Sequence, residues 1–148
     1  MVLFKNILVP VDFGESSRDA LTLAIDLAKQ YGSALTLLHA VDVPAYGYGA
    51  VGFAAVDILT PMQEAARAHL DTLLAEVRKE RPETTGIVAT GVPWREIIAA
   101  IDERKPDLIV MGTHGRRGIG RAILGSVAEK VVRLSLAPVL TVRGKEDR

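Results

Sequence analysis

Short apolar runs alternate along this chain with segments whose apolar residues recur every three or four positions. The first run, Ile7 to Val11, reads as a buried strand. Pro10 lies at its C-terminal end, where a missing N–H costs least. After Asp12, Ser16 or Ser17 is placed to cap a helix with Ala20, Leu21, Ala24, Leu27, Ala28 and Tyr31 on one face, and Gly32 supplies its stop. Ala34 to Val41 is a second apolar strand. Val43 to Thr60 is a long connection, and loops of that length in a compact domain are usually functional or mobile. Pro61 is expected to start a second helix, carrying Ala65, Ala68, Leu70, Leu73, Leu74 and Val77 and ending near Arg81-Pro82. Thr85 to Thr90 is a third strand. Pro93 starts a third helix with Ile97, Ile98 and Ile101, closed by Lys105-Pro106. Leu108 to Met111 is a fourth strand. A fourth helix follows with Val127, Val131 and Leu134, and Pro138 to Val142 is the last strand.

Apolar strands that alternate with amphipathic helices imply a parallel sheet covered on both faces. The pattern predicts an α/β fold of the doubly wound kind, one domain over residues 1–148. Between the fourth strand and the fourth helix lies a glycine-rich stretch containing Gly112, Gly115, Gly118, Gly120 and Gly125, then Ser126. The first amides of a helix have no internal partner, and the helix dipole favours negative charge there. Glycines let the backbone come close to a ligand. Charge agrees with this reading. Leu108 to Ala128 holds no acid, but it holds His114, Arg116, Arg117 and Arg121 in a chain with 18 basic and 18 acidic residues. The local excess addresses a polyanion such as a phosphate chain.

Composition narrows the rest. Hydrophobic residues make up 49% and charged residues 24%, ordinary for a globular protein. Zero net charge lowers the expectation of nucleic-acid binding. There is no cysteine, so disulfides, thiol catalysis and cysteine-ligated zinc are excluded. No apolar run is long enough to span a bilayer, and Met1 to Ile7 runs straight into a strand pattern, so the expected location is the cytoplasm.

The spacing Gly112, two residues, Gly115, nine residues, Gly125, Ser126 resembles the nucleotide-binding pattern of the universal stress protein family. At average glycine usage, a chain this long matches it by accident on the order of once in a hundred times. Ile7-Leu8-Val9-Pro10-Val11-Asp12 looks like that family's first strand, and Ala137 to Val142 like its last. The resemblance implies strand order 3-2-1-4-5, with a crevice at the ends of strands one and four, at Val11-Asp12 and Met111-Gly112. It implies an adenine nucleotide there (ATP, ADP or AMP), with Mg²⁺ held through the phosphates and by Asp12. Val41 matches the position whose backbone meets the adenine edge. Pro10 and Gly112 match positions that line the ribose. His114, Gly115, Gly125, Ser126, Val127 and Ala128 match positions around the phosphates, although members often carry a hydroxyl where this chain has Ala128. A homodimer paired through Val139, Leu140, Thr141 and Val142 is also implied; an apolar edge strand is usually paired or blocked.

Each motif has a plainer reading. Ser126-Val-Ala-Glu129 is a capping box. Asp12 is suited to capping the turn after it. Gly120 to Ser126 nearly spells a P-loop but lacks its lysine, so binding without efficient phosphoryl transfer is expected. Gly47-Tyr-Gly49-Ala-Val-Gly52 matches the dinucleotide fingerprint but does not open a helix after a first strand. A mobile flap is the better reading of that loop, with two alternatives of equal standing: Tyr46, Tyr48 or Phe53 folds over a base, or the loop is plain solvent-exposed disorder. His39, His69 and Trp94 read as structural. Two functions stay open: a nucleotide-binding regulatory protein with slow or no hydrolysis, and a nucleotide-independent dimeric interaction module. An adenylate-transferring enzyme is the weaker third, because no catalytic base is evident.

Overall fold

The computed structural model describes residues 3–43, 57–114 and 124–145. Its sheet is built from β1 (Asn6–Pro10), β2 (Ala34–Val41), β3 (Thr85–Thr90), β4 (Leu108–Gly112) and β5 (Val139–Val142). All pairs are parallel, in the order β3-β2-β1-β4-β5, as expected. The helices among the described residues are α1 (Glu15–Tyr31), α2 (Leu59–Val77), α3 (Pro93–Arg104) and α4 (Ser126–Leu134).

The continuous apolar runs are explained by two cores, one on each face of the sheet. Ile7, Val9 and Val11 point to one side, where they meet Ala20, Leu21 and Ala24 of α1 and Leu70, Leu74 and Val77 of α2. Leu8 points to the other, with Ile97 and Ile101 of α3 and Ala128 and Val131 of α4. The period-two alternation of a strand divides the residues between the cores. Full burial of each such side chain contributes roughly 1.5–3 kcal/mol. The chain reverses direction across the sheet after β3, so the first two helices lie on one face and the last two on the other.

Helix termini depart from the sequence expectation. The N-cap of α1 is Gly14, in extended conformation, with no side-chain cap bond. Ser16 and Ser17 lie inside the first turn, buried, and their hydroxyls bond elsewhere. Helix α2 begins before Pro61, because the Asp57 carboxylate accepts the N–H groups of Leu59 and Thr60, each at 3.1 Å. Pro61 therefore sits in the first turn, where its missing donor is not needed. The helix stops at Val77, and a turn follows in which Arg81 N–H bonds the Val77 carbonyl. Ala65 and Ala68 are exposed; Leu70, Leu74 and Val77 carry the burial. Gly32 ends α1 at φ 68°, the left-handed cap that its type favours.

Candidate functional site

The sheet opens between β1 and β4. Their pairing covers only Ile7–Leu108 and Leu8–Ile109, after which the strands diverge toward their carboxyl ends. In a parallel sheet the N–H and C=O of one residue face the same neighbour, and successive residues face opposite neighbours. Val11 N–H bonds the Leu38 carbonyl at 2.8 Å, so odd positions of β1 face β2 and Pro10 faces the opening. No strand bond is lost there, which is why a proline is tolerated. Thr113 N–H bonds the Val142 carbonyl, and Ile109 N–H bonds the Pro138 carbonyl. Odd positions of β4 thus face β5. Met111 is committed to β5 through its main chain and to the second core through its side chain. Gly112 presents its main chain to the opening.

The same rule corrects the expectation for Val41. Its carbonyl accepts the Gly91 N–H at 2.9 Å, so its main chain faces β3. Ala40, one position earlier, has the parity of Leu38 and turns its N–H and C=O toward the β1 side, beyond the last β1–β2 pair at Pro10–Leu38. The side-chain pattern of an apolar run carries no mark of this choice.

Asp12 follows β1. Its Oδ1 accepts the Gly14 N–H at 2.8 Å, the local turn expected of it, and its own N–H donates to Ser17 Oγ at 3.1 Å. Phe13 adopts φ 65°, unusual for a residue with a side chain. Its ring stacks on His69 at 3.7 Å between centroids and packs against His39 at 4.6 Å. His39 Nδ1 lies 2.7 Å from the Val11 carbonyl, which can only accept, so Nδ1 carries the proton. Both histidines therefore hold the turn after β1, a structural role.

Gly112 has a packing reason of its own. A Cβ built there would lie 2.4 Å from Ser16 Oγ and 2.7 Å from the backbone of Ser16 and Ser17. Helix α1 thus docks directly on the end of β4. Ser16 Oγ donates to the His114 carbonyl at 2.5 Å. Thr113, buried, accepts the Gly125 N–H at 2.5 Å, so the two ends of the glycine-rich stretch meet. Gly115, Arg116, Arg117 and Arg121 lie outside the described residues, as do Tyr46, Tyr48 and Phe53.

The N-cap of α4 is Gly125, at φ −69° and ψ 167°. Ser126 is the first helical residue, exposed and without a side-chain cap bond, so the predicted capping box does not form. One position inside the helix, its hydroxyl no longer points back at the free amides. Glu129 instead pairs with Arg133 along the helix at 3.5 Å. The first intrahelical bond is Glu129 N–H to the Gly125 carbonyl. The amides of Ser126, Val127 and Ala128 precede it and have no intrahelical acceptor. Ala128 is buried to 2% exposure, its side chain in the second core. Trp94, half-buried, packs against the second core, with Arg95 and Lys130 about 5 Å from its ring centroid. Among the described residues no three His, Asp or Glu side chains are gathered as a metal site, and no helix is long and apolar enough to cross a membrane.

Comparison with known proteins gives this arrangement a lineage. The family model for the universal stress protein family matches residues 3–143. Universal stress protein MJ0531 of Methanocaldococcus jannaschii is 34% identical over 145 residues, covering 95% of this chain and 83% of its own. The solved structure of MJ0577 superposes with a TM-score of 0.86 at 28% identity, over 97% of this chain and 99% of that one. Two more distant structures share the fold at 23% and 20% identity, with TM-scores of 0.66 and 0.65. One is a universal stress protein in complex with cAMP, the other the Archaeoglobus fulgidus universal stress protein in complex with dAMP. On its strand order, its glycine spacing and a match across nearly its whole length, this chain belongs to the universal stress protein family.

Proposed function

We propose that this chain binds an adenine nucleotide (ATP, ADP or AMP) at the opening between β1 and β4 and serves as a regulatory binding module. One observation carries the reading. The amides of Ser126, Val127 and Ala128 start a helix without intrahelical acceptors, next to the opening where β1 and β4 cease to pair with each other. Anions are favoured at such a place by both the free donors and the helix dipole. The phosphates would sit on these amides with Gly115, Gly125 and the Ser126 hydroxyl around them. Pro10, Gly112 and His114 line the way in. The base edge would meet the main chain of Ala40, which faces the opening, rather than that of Val41. Asp12 is the carboxylate nearest to the end of β1, and with the phosphates it fits Mg²⁺, which would offset phosphate charge. The cAMP and dAMP complexes of distant fold relatives support the adenine assignment. The sequence lacks the P-loop lysine, so hydrolysis is slow or absent.

Titration calorimetry with MgATP, on protein freed of copurified ligand, tests this. Saturable heat at submillimolar nucleotide is expected. Folded protein that gives no heat with ATP, ADP or AMP refutes the reading.

A second reading concerns assembly. Val139 and Thr141 have the parity that turns their main-chain groups outward from β5, and Val132 and Leu134 of α4, Leu136 of the connection to β5 and Leu140 of β5 itself are exposed. Leu136 is 90% exposed. This is the surface through which a homodimer would pair, with or without nucleotide.

A further inference from the structure

We infer that Phe13 is a positioning residue for Asp12. Clamped between His39 and His69, its ring holds the turn after β1 in a strained conformation that fixes the direction of the Asp12 carboxylate. This rests on the nucleotide reading above, in which Asp12 and the phosphates fit Mg²⁺, and adds to it Phe13 and, through His69, helix α2.

Phe13 stands at φ 65°. Among the described residues one other non-glycine has positive φ, Lys105, and it ends α3, where a left-handed residue is ordinary. Phe13 ends no helix. A side chain disfavours this conformation, so surrounding contacts must impose it, and such residues gather at ligand sites. Here the contacts are made by the ring. His69, exposed on α2, lies parallel to it, with 3.7 Å between centroids and 7° between planes. His39 of β2 lies at 4.6 Å, tilted by 43°, and is itself fixed by its bond to the Val11 carbonyl.

The bond from Gly14 N–H to Asp12 Oδ1, at 2.8 Å, closes a ring of atoms that runs through φ and ψ of Phe13. With the rest of the turn unchanged, a negative φ at Phe13 would carry that N–H away from Oδ1. The main chain around Asp12 is pinned separately: its N–H donates to Ser17 Oγ, and Val11 is bonded to Leu38 and His39. The carboxylate is therefore the part whose direction the turn decides. Oδ1 is committed to Gly14, and among the described residues no donor reaches Oδ2, the oxygen that remains for a cation. A group aimed in advance loses less freedom on binding. The helix-start amides of α4 do not depend on this turn.

Calorimetric titration with ATP, in excess Mg²⁺ and in EDTA, tests the role. The quantity read is the gain in affinity that Mg²⁺ confers, and wild type is expected to show one. His69→Ala and Phe13→Ala are expected to cut that gain about two- to tenfold, the worth of one aromatic contact, and to leave affinity in EDTA within about twofold. His69→Phe and Phe13→Tyr keep stacked rings and should keep the gain. If Phe13→Ala does not fold, His69→Ala, at an exposed position, gives the same readout. Equal losses with and without Mg²⁺, or none in either, would mark a stack that serves the fold alone and overturn the proposal. A gain that Phe13→Tyr loses as fully as Phe13→Ala would do the same, as would wild type that binds ATP equally in both media. Asp12→Asn separates the two levels. If it abolishes the gain while the ring variants keep it, the role of Phe13 fails and the site reading stands. If wild type binds ATP in neither medium, the site reading fails and the role of Phe13 falls with it.

Discussion

Substitution of Gly112 by alanine tests how α1 is docked on the sheet. The added Cβ would stand 2.4 Å from Ser16 Oγ and 2.7 Å from two backbone atoms, Ser16 C and Ser17 N. A side-chain tip can rotate away, but backbone in the first turn of a helix cannot move without the helix. Relief therefore requires α1 to lift from the end of β4. Overpacking of this kind costs about 1–3 kcal/mol. The lift also loses the bond from Ser16 to the His114 carbonyl, about 0.5–1.5 kcal/mol net. Together these give about 2–4 kcal/mol, a large share of the stability of an ordinary domain. For a chain of this size that lowers the melting temperature by about 5–15 °C. Urea unfolding followed by Trp94 fluorescence and by circular dichroism measures it. Adding Ser16→Ala to Gly112→Ala should recover less than about 1 kcal/mol, because the two backbone contacts remain. A Gly112→Ala loss below about 0.5 kcal/mol would refute the packing account and leave Gly112 as a ligand-lining position only.

Two further outcomes are expected. The Asp57 carboxyl is held below its ordinary value of 3.8, chiefly by the Thr60 hydroxyl and then by the Thr60 amide, with desolvation opposing them and the Leu59 amide adding the least. A depressed folded pKa means its contribution is present in full above that ordinary value and is lost as pH falls through the lower folded one. Asp57→Ala should accordingly lower the melting temperature near neutral pH, with the difference from wild type closing in strong acid; a difference that grows on acidification would contradict the cap. Leu140→Lys, on the outer strand at 37% exposure, should convert a dimer to monomer in sedimentation velocity while leaving the helix content unchanged. Wild-type protein that sediments as a monomer up to its solubility limit would contradict pairing through β5.

Much of the scaffold is legible in the residues. Apolar runs such as Leu108 to Met111, short and bounded by Pro106 and Gly112, read as strands buried on both faces, and the alternation of Ile7, Leu8 and Val9 between two cores follows from strand geometry. The glycine spacing before Ser126 locates the mouth of the sheet without coordinates, because strand ends and helix starts are marked by local chemistry. Other features needed the folded chain. Whether Ala40 or Val41 offers its main chain to the opening depends on register and parity, which no side chain announces. Ser16 and Ser17 look like caps because serine prefers helix starts. Gly14 takes that place, and partners 98 and five residues away claim their hydroxyls. Ser126 misses its capping box by one position for a similar reason, with Gly125 already in the extended conformation at the helix entrance. Periodicity records which face of an element is buried; it does not record which distant atom lies within hydrogen-bond reach once the layers have closed.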